Sequence, residues 1–361
     1  MRGHVEQCVE RYLELSKTDE SQLAKVQTPC IDDHQLSPED FVAKGELAHC
    51  AARIVLKALF VARMSRPDCL WSVNTLAREV TKWNVACDKR LHRLISYMHN
   101  TKDIVQVCIV GDRPEDCMLA LFTDASFAGD LRDSKSTTGS LLALVGPSTF
   151  VPISWMCKKQ SAVSHSSSEA EVVALDAALR LEGIPALTLW DQVIEILSPE
   201  AVHKESNESS SRQRNVSSRK HWSETLDYVP PNIDEPAKKA HLIILEDNDA
   251  VIKMVIKGRS PAMRHVARTH RIDLDWLFEQ IREDKGIGIR YVNTKLQAAD
   301  ILTKGQFTTI QWKSLCRLSN SVPNLLKEGG RKSAEKDYER KVKSEKPVHN
   351  PKKKERPAAT K

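Results

Sequence analysis

No two of the nine cysteines stand in a CxxC pair, and an odd number closes no disulfide framework. Their scatter excludes a zinc knuckle and points to reduced thiols in the cytoplasm or nucleus rather than a secreted protein. An apolar leader is lacking too, since the opening MRGHVEQCVERYLELS holds no hydrophobic stretch of the signal-peptide kind. The longest apolar run, IVLKALFVA, is broken by Lys57 and falls far short of the roughly 20 residues of a membrane span. Excess positive charge is lacking over most of the chain. The net charge is +6, yet residues 329–361 carry twelve Lys and Arg against five Asp and Glu, which leaves −1 for the other 328 residues. The basic character belongs to the tail, so overall charge is no argument for a nucleic-acid-binding fold.

What is present suffices for two cored domains: 361 residues, 41% of them hydrophobic. Residues 1–40 are polar in composition. From 41 to 104 the apolar period is helical, through Leu47, Ala51, Ile54 and Ala58, then Val73, Leu76 and Val80, then Leu91, Leu94 and Met98. Pro67 divides two of these helices, with Ser65 or Asp68 as cap material. Near residue 105 the texture changes to short β-rich runs: VQVCIVG, CMLALFTDAS, GSLLALVG and FVPISWMCKKQ. A helix follows at SSEAEVVALDAALRLEGIPAL, capped by Ser167 or Ser168. Residues 198–240 are Ser-rich, with seven acids and seven bases, and read as a disordered insertion. Then come a strand HLIILED, helices at NDAVIKMVIKG and HRIDLDWLFEQIRED, a strand IGIRYVN and a closing helix from LQAADILTKG. This order predicts an α/β fold with a mixed sheet and flanking helices over 105–318, preceded by a helical unit at 41–104 and followed by a basic disordered tail at 319–361.

Four acids fall at strand ends or helix starts of the α/β region: Asp124 in LFTDASFAGD, Glu171, Asp247 and Asp300. Small or polar neighbours leave room beside each. Hard divalent cations take oxygen ligands, and a two-metal site needs several carboxylates converging from separate elements. Placement alone leaves a second reading open, because acids at helix starts are commonly caps and an Asp after a strand is commonly a turn residue.

The strings FTDASFAGD…STTGS, ISWMCKKQSAVSHSSSEAEVVAL, LEDNDAV, RTHRIDLDWLFEQIRE and YVNTKLQAADILTK occur in this order. Together they resemble the ribonuclease H domain of Ty1/copia-type retrotransposon Pol polyproteins. The helical segment upstream resembles the end of the reverse transcriptase, in thumb or connection position, and the likeness runs over about residues 25–318 outside the insertion. The resemblance implies a ribonuclease H-like sheet. It makes Asp124, Glu171, Asp247 and Asp300 both catalytic residues and metal ligands, with Glu169 as the alternative to Glu171. It implies Mg²⁺ or Mn²⁺ as cofactor, an RNA–DNA hybrid as partner and substrate, and endonucleolytic cutting of its RNA strand, told from DNA by contacts to 2′-hydroxyls. Several features depart from the family pattern. Phe127 stands where the family usually has Trp, Val172 where it has an aromatic, and the 43-residue insertion is large. No YxDD-type tetrad precedes the helical unit; IDDH at 31–34 lacks the hydrophobic strand such a tetrad follows. Polymerase activity is therefore not expected, and the absent polymerase part is an expected partner. Protease, integrase and capsid motifs are absent as well. A decayed fragment that folds and binds nucleic acid without chemistry is the alternative reading.

Other residues carry weaker signals. Lys158, Lys159 and Gln160 follow a strand and suit either a phosphate contact or a solvated edge. His265 and His270 are five apart, off the i, i+4 spacing of a helical metal pair, and read as surface or packing residues. Trp276 and Phe278 read as helix core rather than a base-stacking platform. The terminal NPKKKERPAATK suits a nuclear signal, a nucleic-acid arm or plain solvated chain.

Overall fold

A computed structural model describes residues 1–31, 33–129, 133–198, 240–258, 260 and 263–323. Residues 199–239, nearly all of the expected insertion, and 324–361, most of the tail, lie outside the described residues. Met1–Val322 form one compact unit.

Five strands build the central sheet: β1 (Met118–Ser126), β2 (Thr137–Gly146), β3 (Thr149–Lys159), β4 (Leu242–Glu246) and β5 (Ile287–Tyr291). Their order is β3-β2-β1-β4-β5. The first three form an antiparallel meander, whereas β4 runs parallel to β1 and β5 parallel to β4. This is the mixed sheet with flanking helices that the element order predicts, and it is compatible with a ribonuclease H-like fold.

Strand alternation separates two cores. Leu119 and Leu121 of β1 point into one, Ala120 and Phe122 into the other. The first face is covered by α5 (Ser167–Ala178), α6 (Ile184–Leu197), α7 (Asp249–Lys257) and α8 (Leu274–Glu283). The second is covered by α2 (Ala51–Ser65), α3 (Pro67–Ala77), α4 (Val85–Asn100), the 3₁₀ segment Ala298–Leu302 and α9 (Thr309–Leu318). The upstream helices thus share a continuous apolar core with the sheet. Trp155 of β3 donates from Nε1 to the Ala62 carbonyl at 3.0 Å, and Trp312 of α9 to the Tyr97 hydroxyl at 3.1 Å.

Several local details differ from the sequence expectation. Residues 1–40 are polar in composition, yet they open with α1 (Arg2–Ser16), which buries Val5, Cys8, Val9 and Tyr12. Asp68 does not cap α3; it receives three hydrogen bonds from the buried Arg66 and one from Tyr97. The cap of α5 is Ser166, one residue earlier than expected, accepting from the Glu169 N–H at 3.1 Å. Asp300 lies on a 3₁₀ turn and not on an α-helix. Phe278 is core as expected, while Trp276 is half-buried under the Arg180 guanidinium. Among the described residues no helix is long and apolar enough to cross a membrane.

Candidate metal centre

Three of the expected acids meet. Asp124, Glu171 and Asp247 each offer a carboxylate oxygen within 4.8 Å of the others. Asp124 lies near the carboxyl end of β1 and Asp247 follows the last residue of β4. These strands are parallel neighbours, with Phe122 in register with Leu245, so both acids reach the same edge. Glu171 comes from the first turns of α5. That helix approaches closely because Ala170 and Ala174 pack on Ala125 with no larger side chain between them.

A buried amide sets the spacing of the two strands here. Gln297, fully buried, donates from Nε2 to the Thr123 carbonyl at 2.8 Å and reaches the Leu245 carbonyl at 3.5 Å. The 3₁₀ segment after it lies across β2 at Gly139, the register partner of Asp124. A Cβ at Gly139 would stand 2.4 Å from Thr303 Cγ2 and 3.1 Å from the Ala299 carbonyl, so only glycine admits this approach. The approach delivers Asp300 beside the cluster. Asp300 binds Lys304 Nζ at 2.5 Å, and the same ammonium lies 3.6 Å from Asp124. The Thr303 hydroxyl donates to Asp124 Oδ2.

Mutual repulsion and burial mark the electrostatics. Burial, reinforced by Glu246, Asp124 and Asp247, pushes the Glu171 carboxyl up to about 11. Its Oε2 is buried without a hydrogen-bond partner. Burial and the Asp124 charge raise Asp300 to about 7, the ammonium of Lys304 holding it back. Asp247 is also raised, by burial and then by Asp124. A fifth acid, Glu246, sits on the opposite side of the strand, accepting from the Thr123 hydroxyl at 3.0 Å; burial raises it to about 8. Burial first and like charges second raise these acids, and a cation among them would offset both.

Glu169, the alternative helix acid, turns away from this cluster. Its carboxylate accepts from the His165 N–H at 2.9 Å and meets His265 Nε2 at 3.1 Å and His270 Nε2 at 2.9 Å. Those hydrogen bonds outweigh the burial and hold it below the usual carboxylate range. His265 and His270 are therefore partners of one buried carboxylate, more specific than the surface or packing role expected of them. Gln160 is buried and binds Thr138, Ser164 and the Ala170 carbonyl, which ties β3 to α5. Lys159 pairs with Asp133 at 2.8 Å, and Lys158 is exposed.

The sequence reading missed Thr303, Lys304, Gln297 and Glu246. Lys304 had a readable signal, since it stands four residues after Asp300, the spacing at which an acid and a lysine meet on a helical turn. Gln297 had none, because its partners come from two other strands.

Comparison with known proteins places these residues in context. The chain is 28% identical over 172 residues to a retrovirus-related Pol polyprotein from transposon TNT 1-94 of Nicotiana tabacum, covering 46% of this chain and 12% of that protein. It is 32% identical over 124 residues to the Pol polyprotein from transposon RE2 of Arabidopsis thaliana, covering 33% and 8%. A third match, 29% over 120 residues, is to secreted RxLR effector protein 161 of Plasmopara viticola, covering 33% of this chain and 80% of that protein. No family model and no solved structure matches. The chain thus spans about a tenth of the length of the two polyproteins, and its matches relate it, at low identity and over part of its length, to the Pol polyproteins of plant retrotransposons.

Proposed function

We propose that the chain is a retroelement-derived ribonuclease H-like protein that cuts the RNA strand of RNA–DNA hybrids, with Mg²⁺ or Mn²⁺ as cofactor. The observation that carries this reading is the meeting of Asp124, Glu171 and Asp247 at one edge of a β3-β2-β1-β4-β5 sheet. The donor set fits a hard divalent cation: every ligand atom is a carboxylate oxygen, and Glu171 aims a partnerless buried oxygen among them. Asp124, Glu171 and Asp247 would hold it, with Asp300 at the side. Bound there, divalent cations supply charge to the attacking and leaving oxygens of a phosphodiester displacement.

The chain's own groups have separable roles. Glu171 would hold the cation as a deprotonated carboxylate. Thr303 orients the Asp124 carboxylate, and Gln297 fixes the distance between the strands that carry Asp124 and Asp247. Lys304, still half-exposed, offsets the repulsion of Asp124 and Asp300 and presents its charge where a phosphate would arrive. Choice of the RNA strand would rest on contacts to 2′-hydroxyls. In the relatives this region is a small part of a polyprotein, so a polymerase part that grips the hybrid is the partner this reading implies.

The test is cleavage of a hybrid labelled on each strand in turn, by the purified chain in Mg²⁺, in Mn²⁺ and in chelator. Metal-dependent cutting of the RNA strand alone is expected. An intact hybrid in both metals would leave the non-catalytic fragment as the better account.

A further inference from the structure

A cleft opens not at the carboxylates but beside Lys304, starting at the next residue along the chain, Gly305. It has a volume of about 660 Å³, within the roughly 300–1,000 Å³ typical of ligand pockets. One wall is Lys25 and Arg93 from the upstream helical part; the other is Gly305, Phe307 and the start of α9 at Thr308 and Thr309. None of the described residues that line it is acidic. We propose that this cleft is a subsite for the phosphate backbone of the nucleic-acid strand that continues from the carboxylate centre. The proposal rests on the ribonuclease reading above and extends it to how the substrate is held.

Three observations support the assignment. The first is continuity. Lys304 touches Asp300 and approaches Asp124, and the next residue along the chain, Gly305, already lines the cleft. Gly305 packs directly against Trp71, where a Cβ would stand 2.3 Å from the indole, so only glycine lets the chain pass here from Lys304 to the cleft wall.

The second observation is charge and its fixation. Lys25 is exposed and lines the cleft from an irregular stretch of chain. Arg93 is held in the wall by two bonds to Thr28, from Nε to the carbonyl at 2.9 Å and from Nη2 to the hydroxyl at 2.9 Å. An arginine carries five donors, so its guanidinium keeps donors for a second ligand while its orientation is already set. The opposite wall is the start of α9, the end of a helix that favours anions, where the Thr308 hydroxyl already accepts from the Gln311 N–H. Cations on one side and the start of a helix on the other suit a phosphodiester.

The third observation is the mixed lining. The Phe307 ring, half-buried and braced by Trp312 at 5.6 Å between centroids, and the amides of Gln27 and Gln311 suit a sugar and base beside the phosphate. A free phosphate would use only the charged part of this surface. On this reading the upstream helices supply the cations of the substrate channel.

The experiment measures binding of a labelled RNA–DNA hybrid to the full chain, with Ca²⁺ replacing Mg²⁺ to suppress turnover, over a salt series. Lys25→Gln removes one exposed phosphate contact, so affinity should fall several-fold and the slope of log K against log salt should flatten by about 1. Lys285→Gln, at the far end of the sheet, is the control and should change neither. Arg93→Gln should lose more, but it also releases Thr28; Lys25 therefore carries the test, with its melting temperature checked against wild type. Inorganic phosphate is the competitor. Millimolar phosphate should leave the hybrid bound; displacement of the hybrid by phosphate, with loss of that competition in Lys25→Gln, would make this a free-anion site and overturn the proposal. Wild-type binding matched by Lys25→Gln in affinity and slope, or equal loss in Lys25→Gln and Lys285→Gln, would overturn the subsite and leave the ribonuclease reading standing. No binding of hybrid by wild type would end both.

Discussion

Replacing Glu171 with Gln should stabilise the metal-free protein at neutral pH while abolishing its response to Mg²⁺. The side chain is 7% exposed, one of its oxygens has no partner, and its carboxyl is pushed up to about 11. In the unfolded chain a glutamate titrates near 4.3. Over the window between these values the folded state binds a proton that the unfolded state does not. Stability is then greatest below about pH 4 and falls as pH rises, by about 1.4 kcal/mol per unit for each such group. From about pH 4.3 to 7 the loss from Glu171 is at most about 3–4 kcal/mol, a ceiling set by that pH span, and relaxation and water entry lower it. Gln keeps the shape and cannot ionise, so it escapes this loss. Asp300 and Glu246, raised to about 7 and about 8, add slopes of the same sign to both proteins. Excess Mg²⁺ reverses the order, because it binds the folded wild type with Glu171 deprotonated and stabilises that state by mass action. The assay is thermal unfolding of both proteins at acid and neutral pH, in chelator and in Mg²⁺. The expected result is a gap favouring Glu171→Gln that opens as pH rises in chelator and closes or inverts in Mg²⁺. A gap that is the same at every pH, or a wild type that gains stability with pH in chelator, would refute the reasoning.

Two further substitutions separate the roles of neighbouring residues. Gly139→Ala forces the 3₁₀ segment off β2, since its Cβ would meet Thr303 at 2.4 Å; overpacking of this kind costs about 1–3 kcal/mol, and the Mg²⁺-induced rise in melting temperature should shrink with it. An unchanged melting temperature and Mg²⁺ response would show that the segment does not need this contact. Glu169→Gln should cost about 1–3 kcal/mol in urea unfolding, because it disturbs the bonds to His165, His265 and His270, yet it should retain Mg²⁺ stabilisation. Loss of that stabilisation would make Glu169 a ligand.

The contrast between the two glutamates shows where sequence reasoning reaches its limit. Residues two apart on a helix point about 200° apart, so only one of Glu169 and Glu171 can face the strand ends, but which one depends on how α5 is rolled. The roll comes from Ala170 and Ala174 packing on Ala125 and from histidines about a hundred residues away, and neither is a local signal. The strands were legible because β-rich runs with clear turn residues bound them, and Asp124 and Asp247 followed from strand ends. Helix α1 was obscured: Val5, Cys8, Val9 and Tyr12 keep the helical period, but charged residues dilute it. AADILTKG carries a helical pattern, yet it begins as a 3₁₀ turn packed on Gly139, which only the tertiary structure reveals.

The most direct measurement is single-turnover cleavage of an RNA–DNA hybrid by wild type and Asp124→Asn from parallel preparations, in Mg²⁺. Asp124→Asn removes a charge and a ligand oxygen at the centre of the cluster while keeping the side chain's shape. The account predicts that wild type cuts the RNA strand and that Asp124→Asn, still folded by its melting transition, does not. Equal cutting by the two proteins, or an intact RNA strand with both, would contradict it.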